Sequence, residues 1–284
     1  GDDRLLKAVK NLYDLYKEQG MTLHYANYNW FNKPTWTEPC AIVDSYLLAF
    51  DLWKATGDAG YVEDSHYIFY NGLGYAQRPN GGFGCDTCSG TKDVYLSPVE
   101  DLFEAFWCCS MRGGDGLARA AQNLATINGN VCTLPFYNDC TIELQRSGKS
   151  LKLVQQTNYP YSGELSLKVE RNELVGDFRL RFYIPNGVNP DTIQLNVNEK
   201  PVKHMLVENG FVVLSGWKEG DYIRLRFEIP LRERSTHRPT HLAGYRYVQH
   251  GVLLLGAKIS GEKYYALPKH ASYESIGSGK YREK

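Results

Sequence analysis

The stretch Tyr222-Ile-Arg-Leu-Arg-Phe-Glu-Ile229 alternates apolar residues with polar or charged ones. A period of two places the apolar side chains on one face of a β-strand and the polar ones on the other. The same alternation occurs in four further segments after residue 130, namely 165–169, 178–184, 193–197 and 211–214. Turn residues such as Pro185-Asn186-Gly187 separate these segments. Short strands at such spacing predict an antiparallel β-sandwich over residues 129–284, with a frayed end from residue 272.

Before residue 129 the apolar period is helical. Leu5, Val9, Leu12 and Tyr16 recur at intervals of three or four residues and predict a helix over residues 4–19. A second helix is expected over residues 40–56, which are apolar almost all round and therefore buried. Further helices are expected at 60–73, 99–108 and 116–127. The sequence thus predicts a helical domain over residues 1–128, followed by the sandwich domain.

The composition excludes some classes of partner. The 284 residues include 32 basic and 32 acidic side chains, so no net charge favours binding to nucleic acid or to an anionic membrane. No apolar run approaches the roughly 18 residues that a membrane span needs. The 21 tyrosines and 5 tryptophans are numerous, and aromatic rings in such numbers either line carbohydrate sites or fill a core.

Adjacent cysteines at Cys108-Cys109 are difficult to explain as packing alone. A disulfide between neighbours would distort the peptide, whereas two thiolates at one point suit a metal with soft ligands. Glu38-Pro39-Cys40 places another thiol beside an acid. Together the two motifs predict a tetrahedral Zn²⁺ site with one oxygen ligand and three sulfur ligands. The alternative is that the cysteines are small buried hydrophobic residues.

Four other cysteines leave alternatives open. Cys85 and Cys88 have a common metal-binding or redox spacing, and with Cys108 and Cys109 they would form a structural four-cysteine zinc site. They would equally suit a disulfide in an exported protein. Cys132 and Cys140 flank an expected hairpin and are candidates for a cross-strand disulfide, or for two unpaired thiols.

Residues 21–37 form an aromatic, asparagine-rich loop that fits no regular period. Such a loop is typical of a pocket wall. Its candidate substrate-binding residues are His24, Tyr25, Tyr28, Trp30 and Trp36.

The order of these motifs resembles glycoside hydrolase family 127 (formerly DUF1680), which includes β-L-arabinofuranosidases. The matching pieces in the first half are Glu38-Pro39-Cys40-Ala41-Ile42-Val43-Asp44, Ala55-Thr56-Gly57-Asp58, Tyr70-Asn71-Gly72-Leu73 and Cys108-Cys109. In the second half they are Leu180-Arg-Phe-Tyr-Ile-Pro185, Val197-Asn198, Trp217-Lys-Glu-Gly-Asp221 and Gln249-His-Gly-Val252. The resemblance covers nearly the whole chain, and the Glu-x-Cys and Cys-Cys motifs are its specific part.

This resemblance implies a fold with an (α/α)₆ barrel followed by a β-sandwich. Since the predicted helices make up less than half of such a barrel, the chain is expected to be the C-terminal part of a family member, with an incomplete barrel-like helical domain. The apolar helix over residues 40–56 would then be covered by the sandwich, by a second copy, or by a partner that supplies the missing part. The start Gly1-Asp2-Asp3 looks trimmed, and a periplasmic or secreted bacterial location is expected.

The resemblance also implies a mechanism. Glu38, Cys40 and Cys109 would bind zinc, and Cys108 would be both the fourth ligand and the nucleophile. The family's acid/base glutamate lies in the loop before Glu-x-Cys, but residues 21–37 contain no carboxylate. Candidates to replace it are Asp86, Asp93, Glu100, Asp101 and Glu104.

These observations predict a retaining glycoside hydrolase acting on arabinose-containing or other plant sugars, slow with poor leaving groups. The alternative is a non-catalytic carbohydrate-binding or scaffold protein with a structural zinc site.

Overall fold

A computed structural model describes residues 2–29, 36–88, 108–174, 178–236, 244, 246–256, 273–277 and 280–283. The chain forms two compact units. The first comprises Gly1–Arg119 with Arg232–Ala271, and the second comprises Ala120–Leu231 with Ser272–Lys284. The sequence-based division at residue 129 stays a prediction, because compact units need not coincide with domains. No helix in the described part is long and apolar enough to cross a membrane.

The second unit is a β-sandwich. Its strands are β1 Thr126–Asn128, β2 Val131–Leu134, β3 Cys140–Arg146, β4 Lys149–Thr157, β5 Gly163–Asn172, β6 Arg179–Tyr183, β7 Gln194–Val197, β8 Lys200–Pro201, β9 Leu206–Glu208, β10 Phe211–Leu214 and β11 Tyr222–Phe227. One sheet has the order β1-β2-β6-β10-β9, and the other β3-β4-β5-β11-β7-β8. The described strand pairs are antiparallel except β2–β6, which is parallel.

Alternation along the strands produces the core of the sandwich. Leu165, Leu167 and Val169 of β5 are buried, while the alternate residues Glu164 and Lys168 are exposed. The predicted strands are present, and the hairpin β3–β4 was missed. Its signal is in the sequence, because apolar residues alternate on both sides of the turn at Ser147-Gly148. The expected frayed end instead pairs as β15 Tyr273–Gly277 and β16 Lys280–Glu283.

Cys132 and Cys140 do not form the disulfide considered above. Cys132 lies on β2 in the five-stranded sheet and Cys140 on β3 in the six-stranded sheet, and both thiols are free. The expectation was wrong because the two residues flank a connection between sheets and not a hairpin.

The first unit contains the helices. They are α1 Asp3–Gln19, α2 Pro39–Thr56, α3 Ala59–Tyr67, a π-helical turn Ile68–Leu73, α4 Gly74–Ala76 and α5 Cys108–Gln122, which continues into the second unit. α2 is buried as predicted, with Ile42, Tyr46 and Phe50 fully inaccessible. The predicted helix over 99–108 lies outside the described residues.

Exposed apolar side chains occur on α1, whereas α2, whose apolar surface was expected to need a cover, is buried. Leu5, Leu12 and Leu15 of α1 are 66%, 63% and 48% exposed. Within the first unit, α2 packs against α3, the π-helical turn and α1. Cover by the sandwich or by a partner stays a prediction. Periodicity alone could not distinguish these cases, because it does not specify which neighbours pack against a helix.

A small sheet completes the first unit. It has the order β12-β13-β14, with β12 Leu231–Ser235, β13 Arg246–His250 and β14 Leu253–Leu254. Asn71 in the π-helical turn connects this sheet to the helices. Its Nδ2 donates to the carbonyl of Val252 (2.9 Å), and its Oδ1 accepts from the N–H of Leu254 (2.7 Å).

Helix α5 includes residues 109–115, which were not predicted to be helical, and Gly113 and Gly116 are packing residues within it. A Cβ at Gly113 would overlap the ring of Phe83, and one at Gly116 would lie 2.5 Å from Cγ2 of Val43 on α2. The helix therefore approaches its neighbours more closely than a side chain would permit. It ends at Gln122, so the predicted helix over 116–127 was placed too late, and β1 occupies residues 126–128.

The segment 77–88 connects α4 to the region of α5. Gln77 pairs with Phe83 in an isolated bridge, and Trp36 pairs with Thr87 in another. A buried ion pair stabilises the segment: Arg78 Nη1 donates to Asp86 Oδ1 (2.9 Å), and neither side chain is appreciably exposed. Arg78 Nη2 also donates to the carbonyl of Cys85 (2.6 Å). Breaking this pair would leave a charge buried without its partner.

We expect the glycines of α5 to differ sharply in their tolerance of alanine. Gly113→Ala should lower the free energy of unfolding by about 1–3 kcal/mol, because the new methyl group overlaps Phe83. Gly114→Ala is the matched control, since nothing lies within 4 Å of its Cβ position. It should stabilise the helix by about 0.5–1 kcal/mol. Urea unfolding measures both, and equal effects of the two substitutions would contradict this packing.

The buried pair should respond to substitution far more than an exposed one. Arg78→Ala should cost about 3–5 kcal/mol, because it leaves the Asp86 carboxylate buried without its partner. Arg4→Ala removes the exposed ion pair with Asp2 and should leave the melting temperature close to that of the parent, because solvent screens this pair. Thermal unfolding of both variants tests the difference.

Asp86 should also make stability depend on pH. Burial raises the pKa of Asp86 to about 6, opposed by Arg78, whereas an unfolded Asp has a pKa of about 3.9. The folded state therefore binds more protons between these values, so its contribution to stability falls as the pH rises from about 4 to about 6. Asp86→Asn should remove this slope from the pH profile of unfolding. A variant with the unchanged profile would contradict the assignment.

Candidate metal centre

Four side chains from two distant parts of the sequence converge in the first unit. They are Glu38, Cys40, Cys108 and Cys109, and one ligand atom from each lies within 4.8 Å of the others. In a tetrahedral zinc site with sulfur at about 2.3 Å, neighbouring ligand atoms are about 3.8 Å apart. The donor set, three thiols and one carboxylate, and its spacing therefore fit a zinc ion after small side-chain movements.

The start of α2 determines the positions of Glu38 and Cys40. Glu38 is the N-cap residue with an extended backbone, and Pro39 occupies the first helical position, where its missing N–H costs nothing. Cys40 follows in the first turn, near the positive end of the helix dipole, which favours a thiolate. The Glu-x-Cys spacing thus places both side chains at one end of one helix.

Contacts with the rest of the unit hold Cys108 and Cys109 at this point. Directly after them, the N–H of Phe83 donates to Oγ of Ser110 (3.0 Å). Arg112 forms ion pairs with Asp44 on α2 and with Asp115 on its own helix. Along with the close approach at Gly113, these contacts align α5 against α2 and the segment 77–88.

The surroundings of the cluster raise the pKa values of two of its thiols, although the hydrogen bonds of Cys109 with Cys108 and Cys40 act in the opposite direction on its own pKa. Burial raises the pKa of Cys40 most, followed by its hydrogen bond with Cys108 and the nearby charges. The pKa of Cys109 is raised chiefly by its hydrogen bond with Cys85, and then by burial. Several anions at this spacing repel one another unless a cation is present, and a bound divalent ion inverts the effect. The cluster is therefore suited to a metal and ill suited to several free thiolates.

The members of the cluster differ in exposure. Cys109 is buried, Glu38 and Cys40 are partly buried, and Cys108 is exposed. Among the three thiols, Cys108 is therefore the one that a molecule in solution can reach.

Cys85 and Cys88 contribute differently from each other. Both are buried, and their thiols are not joined in the alternative Cys85–Cys88 disulfide. Cys85 contacts the cluster through its hydrogen bond with Cys109, a neighbour that the sequence spacing did not reveal. Burial raises the pKa of Cys88 to about 12. Among the described residues, the convergent group contains Glu38 and Cys40 in place of the Cys85/Cys88 pair of the four-cysteine alternative.

Several candidate side chains of the aromatic loop are buried in the interior of the first unit. His24 and Tyr28 are 2% and 4% exposed. Tyr25 stacks on Tyr67 with ring centroids 4.5 Å apart and accepts a hydrogen bond from Gln249 (2.6 Å). Tyr25 also lines a cavity of about 310 Å³, and Trp36 is partly buried, whereas Trp30 lies outside the described residues. A role of these residues in binding substrate stays a prediction.

Two titratable groups that bear on proton transfer lie in the described part of the chain: His24 of the aromatic loop and the candidate acid Asp86. Burial lowers the pKa of His24 to about 4, so its imidazole is neutral near pH 7. Asp86 is fully buried and paired with Arg78. The other candidate acids, Asp93, Glu100, Asp101 and Glu104, fall outside the described residues.

Comparison with known protein families gives a match within the sandwich. Residues 132–229 match the sequence model of the β-L-arabinofuranosidase GH127 middle domain. Among curated protein sequences, none matches the chain.

Solved structures share the fold over 89% of the chain. One is a glycoside hydrolase (TM-score 0.73, 21% identity). The others are a GH127 β-L-arabinofuranosidase from Geobacillus stearothermophilus T6 (TM-score 0.69, 20% identity) and a GH127 β-arabinofuranosidase (TM-score 0.72, 20% identity).

The chain spans less than half the length of these solved structures: 48% of the first, 43% of the second and 44% of the third. This coverage agrees with the expectation of a partial family member, with barrel-like helices followed by a β-sandwich. The resemblance to glycoside hydrolase family 127 is therefore confirmed, by the family match within the sandwich and by the fold shared over most of the chain.

Proposed function

We propose that the chain carries the metal centre and nucleophile of a retaining glycoside hydrolase of the β-L-arabinofuranosidase type. The observation that carries this proposal is the convergence of Glu38, Cys40, Cys108 and Cys109 within 4.8 Å. The start of α2 and helix α5 bring these residues together from distant parts of the sequence. If the cysteines served only as small apolar residues in a core, no carboxylate would be needed among them. The match to the GH127 middle domain and the shared fold support the reaction class.

The exposure of each residue suggests its role. Glu38, Cys40 and Cys109 would hold zinc, and Cys108 would be both the fourth ligand and the nucleophile. Zinc, when bound, keeps thiols deprotonated near neutral pH. The exposed Sγ of Cys108 would then attack the anomeric carbon of the sugar as the bond to the leaving oxygen breaks. Water would cleave the thioglycoside in a second displacement, so the configuration at that carbon is retained.

The rate of glycoside cleavage depends on whether a positioned acid protonates the leaving oxygen. A neutral imidazole with a pKa of about 4 is a poor general acid at pH 7, which argues against His24 in this role. Without a positioned acid, a poor leaving group departs slowly. The described residues therefore support cleavage of activated glycosides better than cleavage of natural ones. That a partner completes the barrel and contributes an acid stays a prediction.

A second candidate function is a non-catalytic carbohydrate-binding or scaffold protein with a structural zinc ion. The lack of a carboxylate in residues 21–37 favours it. Structural zinc sites are closed by four protein ligands, whereas catalytic sites keep a position for a reactant. The exposure of Cys108 favours the first candidate.

We expect the purified chain to contain about one zinc ion, measured by elemental analysis after dialysis. Cys40→Ser and Cys109→Ser should weaken zinc binding by at least about tenfold, since each removes a soft ligand. A chelator should also lower the melting temperature of the unsubstituted chain, because metal binding stabilises the folded state. Cys140→Ser, on β3 in the sandwich, is the matched control and should bind zinc normally. Equal loss of zinc in the control would contradict the assignment.

We expect slow hydrolysis of 4-nitrophenyl β-L-arabinofuranoside, whose leaving group does not require an acid. Cys108→Ser should reduce kcat/KM by at least about a hundredfold, because a hydroxyl at this position is a far weaker nucleophile. Cys140→Ser should retain activity. Zinc binding without any hydrolysis would support the scaffold alternative, and activity retained in Cys108→Ser would exclude the nucleophile assignment.

A further inference from the structure

The outer face of the six-stranded sheet contains a groove of about 330 Å³, within the second unit and separate in residues from the metal centre. It is formed by β4, β5, β11 and the residues that adjoin β4. Its lining consists of Asp139, Gln156, Thr157, Asn158, Glu164, Leu165, Ser166, Tyr222, Arg224 and Arg226. Its volume is in the lower range of small-ligand sites.

The register of the strands explains why this part of the sheet is concave. Gln156 on β4 lies opposite Ser166 on β5, and Ser166 lies opposite Arg224 on β11. Residues in register on one face form a row across a sheet, with strands about 4.8 Å apart. A short serine between two long side chains leaves a depression in the middle of this row.

The ring of Tyr222 is held beside this depression. The pKa of Tyr222 is lowered, first by a hydrogen bond from Ser166 and then by one from Arg224. The guanidinium of Arg224 also lies 5.7 Å from the centroid of the Tyr222 ring. Since Tyr222 is also partly exposed to solvent, it offers an oriented aromatic surface beside polar groups.

The charges of the lining balance one another. Arg226 pairs with Glu164 (3.0 Å), and Asp139 accepts a hydrogen bond from the N–H of Thr157 (2.7 Å). Two arginines and two carboxylates give a formal charge of zero. A phosphate or sulfate would meet two carboxylates here, so the lining does not favour an anion.

We propose that this groove binds a segment of a neutral polysaccharide. Adjacent sugar hydroxyls both donate and accept, and they require a lining with both kinds of group. The amides of Gln156 and Asn158 supply both, the guanidiniums supply paired donors, and the carboxylates supply paired acceptors. The Tyr222 ring can pack against the C–H face of a sugar. The groove would hold a polymer on the sandwich whether or not the metal centre cleaves it.

Affinity electrophoresis in gels containing soluble arabinan, xylan or dextran tests this proposal. The full chain is used with Cys108→Ser in every sample, so that no polymer is hydrolysed. At least one polysaccharide should retard the chain. Arg224→Ala removes charged donors, and Ser166→Tyr fills the depression with a residue that strands accept well. Each substitution should weaken binding by about tenfold or more.

Glu143→Ala is the matched control, because Glu143 is exposed on the neighbouring strand β3 and does not line the groove. It should migrate like the parent, and all variants should share its melting temperature. Absence of retardation by all three polymers, or retardation that both groove variants retain, would overturn the proposal. So would binding of inorganic phosphate that Arg224→Ala abolishes, in a chain that no polysaccharide retards. Retardation by a polysaccharide requires neither bound zinc nor hydrolysis. Failure of this proposal can therefore be distinguished from failure of the proposed function.

Discussion

The close approach of α5 to α2 and to Phe83 is the constraint on which the metal centre depends. Gly113 and Gly116 have no side chain, and the space that a Cβ would need is occupied by Phe83 and Val43. Cys108 and Cys109 lie about one turn before these glycines, so the approach of the helix axis determines where the thiols point. A wider separation would move the Cys-Cys pair away from Glu38 and Cys40. The two motifs are thus coupled through packing, although Cys108 lies 68 positions after Cys40 in the sequence.

The same packing creates an electrostatic problem that a cation would solve. Hydrogen bonding and burial raise the pKa values of Cys40 and Cys109, so without a cation the cluster favours protonated thiols. A divalent ion would reverse this preference and convert mutual repulsion into shared attraction. Charge compensation also applies to the buried Arg78–Asp86 pair, because burial of either charge alone would be unfavourable. Opposite charges therefore stabilise the segment 77–88, and a cation would stabilise the cluster at α2 and α5.

Aromatic residues of the loop, which the sequence predicted to bind a ligand, stabilise the conformation of the loop itself. Tyr25 has a positive φ of 63°, a conformation that costs energy for a residue with a side chain. Stacking on Tyr67 and the hydrogen bond with Gln249 compensate for that cost. A Cβ at Gly72 would lie 2.6 Å from the carbonyl oxygen of Tyr25, so the loop backbone also packs directly on the π-helical turn. Much of the aromatic content therefore stabilises the loop, and the described members leave little aromatic surface for a ligand.

The sequence by itself determined the change from helices to strands, the buried character of α2, and the donor types of the metal centre. Periodicity and ligand chemistry are local properties, so a pattern in the chain suffices to predict them. It did not predict that residues 109–115 are helical, because Gly113-Gly114-Asp115-Gly116 resembles a loop until its neighbours are known. Nor did it predict the contact of Cys85 with Cys109, the separate sheets of Cys132 and Cys140, or the row Gln156–Ser166–Arg224. Each of these depends on which surfaces meet and in which register, and only tertiary packing decides that, because residues far apart in the chain must share the same space.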